Sequence, residues 1–244
     1  MEKVIGVLGG MGPEATLYFY KELIVQTPAR TDQEHLRVII DSNPKVPDRT
    51  QAILHGAESP VPALAAGAGA LERAGADFIV IPCISAHFFL EDLRERTNLP
   101  VLSLFDIVAE HIVENHAGVH TLGLLGTTGT VQGGRFQERL SKAGRQTFSP
   151  EPADQLRIMS AIYDIKDVRS RRTRREIALD VCAVARRLVE RGAQGIIAGC
   201  TELPLVLDPA EVPVPVFNPL KLLARAAIIA AGRNPAAAVE EKQG

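Results

Sequence analysis

Short, continuous apolar runs alternate along this chain with longer stretches in which apolar positions recur every three or four residues. The first pattern marks strands and the second marks helices. Their alternation is the signature of parallel α/β architecture. The clearest runs predict strands over 4–8, 38–41, 78–81, 101–104, 121–125, 195–198 and 214–217. Several are apolar throughout, as strands are when helices cover both faces of their sheet. Helices are expected after Pro13, near Ala63, near Ser85, near Asp106 and after Val131, then across 153–163 and 174–191. The chain closes on an alanine-rich tail.

Displacing the chain along itself by 117 positions superposes two separate segments. Residues 4–12 fall on 121–129, where Gly6, Leu8, Gly9 and Gly12 each meet an identical residue. At the same offset residues 71–83 fall on 188–200, matching Leu71, Gly75, Ala76, Ile79 and Cys83. Any two strand–helix units share apolar strands and glycine turns, but that does not explain a cysteine at the end of the same strand in both. The coincidence of offsets implies an internal duplication. The expected organisation is two pseudo-symmetric α/β lobes with parallel sheets, whose strand ends face one cleft. Residues 1–105 plus 218–244 would form the first lobe and 106–217 the second.

Composition narrows the function classes. The 244 residues carry 46% hydrophobic content, 23% charged residues and a formal charge of −2, close to an ordinary globular protein. No bias toward nucleic acid or an anionic membrane follows from that charge. The basic run from Arg169 to Arg175 has no interleaved aromatics for base stacking, so it reads as a solvated helix start. No apolar run reaches the ~18–20 residues of a membrane helix, and the start of the chain lacks a signal-peptide pattern. A cytoplasmic location is the expectation, with neither nucleic acid nor membrane as partner. Three cysteines do not make a disulfide framework. His87, four residues after Cys83, has no second Cys/His cluster to complete a metal site, so no metal is expected. The glycines after the first strand have neither the Rossmann spacing nor a P-loop lysine.

Two thiols therefore carry the candidate chemistry. Ligands of open α/β sheets bind beyond the carboxyl ends of the strands, which is where the pattern puts Cys83 and Cys200. Inverting a stereocentre that bears a proton means removing it on one face and returning it on the other. Two acid/base groups of matched strength do this directly, and thiols suit the task. Cys182 falls inside a helical run and reads as a buried small hydrophobe. The loops Gly9, Gly10, Met11, Gly12 and Thr127, Thr128, Gly129, Thr130 offer backbone N–H groups and hydroxyls to a carboxylate. No pyridoxal-phosphate lysine motif is evident, and no cofactor is expected.

The segments GVLGGMGPEAT, NPKVPDRT, GADFIVIPC, LLGTTGT and IIAGCTEL, in this order, resemble the pyridoxal-phosphate-independent aspartate/glutamate racemase family. The likeness runs over essentially the whole chain and is closest to the aspartate racemase branch. It implies two Rossmann-like lobes with the active site between them, a cofactor-independent isomerase acting on a small acidic amino acid, aspartate first and then glutamate or another acidic one, and a homodimer. Cys83 and Cys200 would be the proton donor and acceptor pair. Arg49 would grip the substrate's side-chain carboxylate, with Lys166 as a second cation. Ser85, Thr127, Thr130 and Thr201 would hold the α-carboxylate and amine, with Met11 and Gly12 in the adjoining loop, and Glu202 would tune Cys200. One departure stands out: Ile84 follows Cys83 where the family carries asparagine, which removes an amide beside the substrate. The same scaffold also suits a cis–trans isomerase of a dicarboxylate, with one cysteine as nucleophile, or a non-catalytic binder of acidic ligands.

Overall fold

The computed structural model describes residues 2–237. Met1 and residues 238–244, the end of the segment expected to close the first lobe, lie outside the described residues. In order the elements are β1 (Ile5–Gly9), α1 (Pro13–Gln26), β2 (Val38–Ser42), α2 (Arg49–His55), α3 (Val61–Arg73), β3 (Phe78–Val80), α4 (Leu90–Arg94) and α5 (Leu104–Asn115). Then follow β4 (Thr121–Gly126), α6 (Thr128–Gly133), α7 (Arg135–Lys142), β5 (Gln146–Phe148), α8 (Pro152–Lys166), α9 (Arg174–Glu190), β6 (Gly195–Gly199), β7 (Val216–Phe217) and α10 (Pro219–Ala230). Among the described residues no helix is long and apolar enough to cross a membrane.

The architecture is α/β with two parallel sheets, in strand orders β2-β1-β3 and β5-β4-β6-β7. The chain forms two compact units. One comprises Met1–Pro47, Ser59–Leu104 and the stretch from Leu220 onward; the other comprises Asp48–Glu58 and Phe105–Pro219. The short helix α2 therefore belongs with the second unit although its sequence neighbours belong to the first.

The matched residues of the duplication pack against each other in both units. An added Cβ on Gly6 would lie 2.9 Å from Ala76 Cβ and 3.4 Å from Leu71 Cδ1. On Gly123 it would lie 3.0 Å from Leu188 Cδ1 and 2.7 Å from Ile196 Cδ1. In each unit, then, a central-strand glycine lets a helix leucine come down onto the sheet. Gly75 (φ +89°) and Gly192 (φ +103°) follow α3 and α9 and take the left-handed conformation that ends a helix.

Two expectations need correction. The strand over 101–104 reduces to a single bridge, Val101 to Ile79, because Leu104 opens α5 and faces inward with Phe105, Val108, Ala109 and Ile112 at helical spacing. The helix near Ser85 is a 3-10 turn, Ser85–Phe89, with α4 only after it. The helix expected after Val131 is α7, and the short α6, capped by Thr127, comes before it. The strand β5, the helix α2 and the helix α10 carried no expectation. Leu220, Leu223, Ala224, Ala227 and Ile228 are buried at helical spacing, a stripe that the alanine-rich composition obscured.

Candidate active site

The second unit gathers most of the expected residues at the carboxyl end of its sheet. Gly126 of β4 pairs in register with Gly199 of β6. The strands pass so closely there that an added Cβ on Gly126 would lie 2.8 Å from the Gly199 carbonyl oxygen. The next residues, Thr127 and Cys200, thus leave the sheet side by side, where α/β sheets bind ligands. Thr127 Oγ1 accepts from the Thr130 N–H at 3.1 Å and lies 3.1 Å from the Thr130 hydroxyl. Both threonines are buried. Their first task is to start α6, because a threonine cap satisfies a helix N–H that otherwise has no partner.

The helix α2 packs on α6, with Thr50 against Gly129: an added Cβ there would sit 3.2 Å from Thr50 Cα. Asp48 caps α2 by accepting from the Gln51 N–H at 2.9 Å. Arg49 is the first helical residue and is half-buried. The third contributor is α8. Its Gln155 Nε2 donates to the Gly126 carbonyl at 3.0 Å, its Met159 Sδ accepts from the Thr128 N–H at 3.1 Å, and Lys166 is its last residue. Gln155 and Met159 escaped the sequence reading. Their four-residue spacing on one helix face, continued to Lys166, was the signal.

Cys200 is buried and donates through its thiol to Glu202 Oε2 at 2.9 Å. The Thr201 hydroxyl donates to the same oxygen at 3.3 Å, and Lys166 Nζ lies 3.4 Å from Glu202 Oε1. Burial pushes the Cys200 thiol well above its ordinary range; the Glu202 charge adds to this and the Lys166 ammonium opposes it. The structure thus engages Lys166 with a protein carboxylate, while the sequence reading reserved it for the substrate.

The first unit holds Cys83, Ser85, Met11 and Gly12. Val7 pairs with Val80, so the loop after β1 and the residues after β3 emerge at the same end of the sheet. Cys83 is buried; its N–H donates to the Ile81 carbonyl at 2.8 Å, and its carbonyl accepts from His87 Nδ1 at 2.8 Å. The histidine thus closes the turn beneath the cysteine. The Met11 side chain packs in an apolar cluster with Leu8, Val46, Cys83 and Ala86, which leaves only its backbone for a ligand. Gly12 precedes α1, and Thr16, another residue the sequence reading passed over, accepts from the Gly10 N–H at 2.9 Å and donates to the Gly12 carbonyl at 3.0 Å. Gly10 is required: its φ is +89°, and an added Cβ would lie 2.4 Å from the Asn43 backbone nitrogen. Ile84 is buried, and Ser85 opens the 3-10 turn half-buried.

Cys182 sits in α9 within the apolar cluster of the second unit, and burial raises its thiol also. It is the core residue expected.

The profile of the Asp/Glu/hydantoin racemase family matches residues 8–227. The broad specificity amino-acid racemase RacX of Bacillus subtilis (strain 168) is 26% identical over 231 residues, 92% of this chain and 96% of that protein. Among solved structures, the aspartate racemase of Picrophilus torridus aligns with TM-score 0.85 and 29% identity over 96% of each chain. An aspartate racemase homologue from Pyrococcus horikoshii OT3 aligns with TM-score 0.73 and 28% identity, over 96% of this chain and 100% of that one.

Proposed function

The chain belongs to the Asp/Glu/hydantoin racemase family, a family of isomerases, and from there we propose that it racemises an acidic amino acid, aspartate first, by two-thiol proton exchange without an added cofactor. Cys83 and Cys200 serve opposite faces of the α-carbon. One, as thiolate, removes the α-proton; the other, as thiol, returns a proton to the far side. The observation that carries this reading is the placement of the cysteines 117 residues apart, each buried just beyond the carboxyl end of the corresponding strand in duplicate units.

Arg49 is the group assigned to the substrate's side-chain carboxylate. Its planar fork matches a carboxylate, and its helix packs on the Thr127–Thr130 turn in the same unit as Cys200. Lys166 is assigned as a second cation for the same carboxylate, and it also pairs with Glu202. Ser85, Thr127, Thr130 and Thr201 supply hydroxyls, and the loop through Met11 and Gly12 supplies backbone groups, to the α-carboxylate and amine. The buried Ile84 beside Cys83 replaces a polar side chain with an apolar one, which relaxes the demand for an acidic substrate. The broad-specificity relative supports testing that directly. A cytoplasmic homodimer completes the proposal.

The experiment incubates the reduced protein in heavy water with single enantiomers of aspartate, glutamate, cysteate, alanine and lysine. α-Proton NMR and chiral chromatography follow the outcome. Exchange with inversion on an acidic member is expected. Cys83→Ser and Cys200→Ser should each lower inversion by roughly 10²–10⁴-fold while retaining exchange on one enantiomer. A covalent adduct on one cysteine would instead mark the dicarboxylate isomerase, and tight binding without exchange the non-catalytic binder.

A further inference from the structure

The two cysteines do not have matching surroundings, although the duplication sets them in equivalent positions. After Cys200 come Thr201 and Glu202; at the same offset after Cys83 come Ile84 and Ser85. The second unit thus places a carboxylate on its thiol and the first unit does not. Three groups in the second unit form a line: Cys200 Sγ donates to Glu202 Oε2 at 2.9 Å, and Glu202 Oε1 lies 3.4 Å from Lys166 Nζ. The two inner groups of that line are buried and the outer one is partly exposed. Cys200 is 4% exposed, the Glu202 side chain 3%, and the Lys166 side chain 34%. The inner end is buried and the outer end is in contact with water.

We propose that Lys166, Glu202 and Cys200 form a proton relay through which Cys200 exchanges its proton with solvent during turnover. This rests on Cys200 acting at the substrate's α-carbon. After the Cys200 thiol has given its proton to the substrate carbanion, the resulting thiolate must be reset. The Lys166 ammonium transfers a proton to Glu202 Oε1, leaving a neutral amine and a carboxylic acid. The carboxyl group turns about its Cγ–Cδ bond and delivers that proton to the Cys200 thiolate. Lys166 then recovers a proton from water. The net change is one proton moved from water to sulfur, with no change of oxidation state. Run backwards, the relay empties Cys200 after it has taken the α-proton. Glu202 and Lys166 are the charged groups acting on this thiol, and both act through Cys200 as positioning residues.

Exchange of the α-proton is then asymmetric, and this can be measured. Separate aspartate enantiomers are incubated in heavy water, and deuterium at Cα is read in the substrate that has not yet inverted. Cys83→Ser identifies the enantiomer that gives its proton to Cys200, since that one alone still exchanges. In the wild-type protein this enantiomer gains deuterium before inversion, and its mirror image takes back its own proton. Glu202→Gln abolishes the difference. Lys166→Arg separates the relay from simple electrostatics: arginine keeps the positive charge but does not release a proton in proteins. The difference should disappear in Lys166→Arg as well. Equal deuterium uptake by both unreacted enantiomers in the wild type, or an unchanged difference in Lys166→Arg, overturns the relay.

Absence of exchange on every amino acid would overturn the racemase reading, and the relay is then judged without substrate. In a Cys83→Ser, Cys182→Ser background, thiolate absorbance after a pH jump reports how fast Cys200 ionises. Lys166→Arg slows that step without displacing its midpoint if the relay operates. An unaltered rate rejects it.

Discussion

A cation and a hydroxyl mean different things according to what already holds them. Lys166 is engaged with Glu202, whereas Arg49 opens a helix whose cap is the neighbouring Asp48. Replacing Arg49 leaves the Asp48 cap of α2 intact. On the proposed reading, Arg49→Lys replaces a bidentate fork by a single point charge. A charge-assisted hydrogen bond is worth roughly 1.5–3 kcal/mol, so kcat/KM for aspartate should fall about 10–150-fold. Turnover of a neutral amino acid, where it occurs, should not change. An equal loss on neutral and acidic substrates would assign Arg49 to a part common to all of them, such as the α-carboxylate.

The elements repeat what the residues repeat. Leu71 of α3 and Leu188 of α9 stand 117 residues apart, and each settles over a central-strand glycine, Gly6 or Gly123. Both leucines are 1% exposed. Removing a buried leucine side chain costs about 2–5 kcal/mol through lost transfer energy and an unfilled cavity. Leu71→Ala and Leu188→Ala should thus destabilise by similar amounts within that range in chemical denaturation. A difference larger than the range would mean that one unit relaxes into its cavity and the other does not. This level was the most legible in the sequence. Short continuous apolar runs against a three-to-four-residue recurrence separate strand from helix, and the matched glycines and cysteines mark equivalent places in two units. Less legible were features that depend on partners distant in sequence. The run 101–104 is apolar enough for a strand, yet Leu104 and Phe105 find a better burial as the start of α5. The helix α2 that carries Arg49 is short and is supported by α6, some eighty positions away. The ion pair between Lys166 and Glu202 could not be read from composition or spacing, since it depends on where α8 ends relative to β6.

At the scale of the molecule the duplication is unequal in its chemistry. Cys182 and Cys200 share one apolar cluster in the second unit, and burial raises both thiols, with the Glu202 charge as a further cause at Cys200. When a group binds its proton more tightly folded than unfolded, raising the pH favours the unfolded chain. Below the pH at which ordinary thiols ionise, both states hold these protons and stability is unaffected. Above it the unfolded chain releases them first, so stability is lost progressively until the folded thiols ionise as well. The second unit should therefore be the part that yields first under mildly alkaline, reducing conditions. Cys182→Ala tests this without touching the proposed chemistry. It removes one of the two raised thiols, so the decline of stability with pH should become shallower, while any packing loss shifts the curve equally at all pH values. The chain has no tryptophan, which makes helix loss by circular dichroism the suitable readout. Parallel stability curves for the wild type and Cys182→Ala would show that the alkaline sensitivity comes from Cys200 and its carboxylate alone.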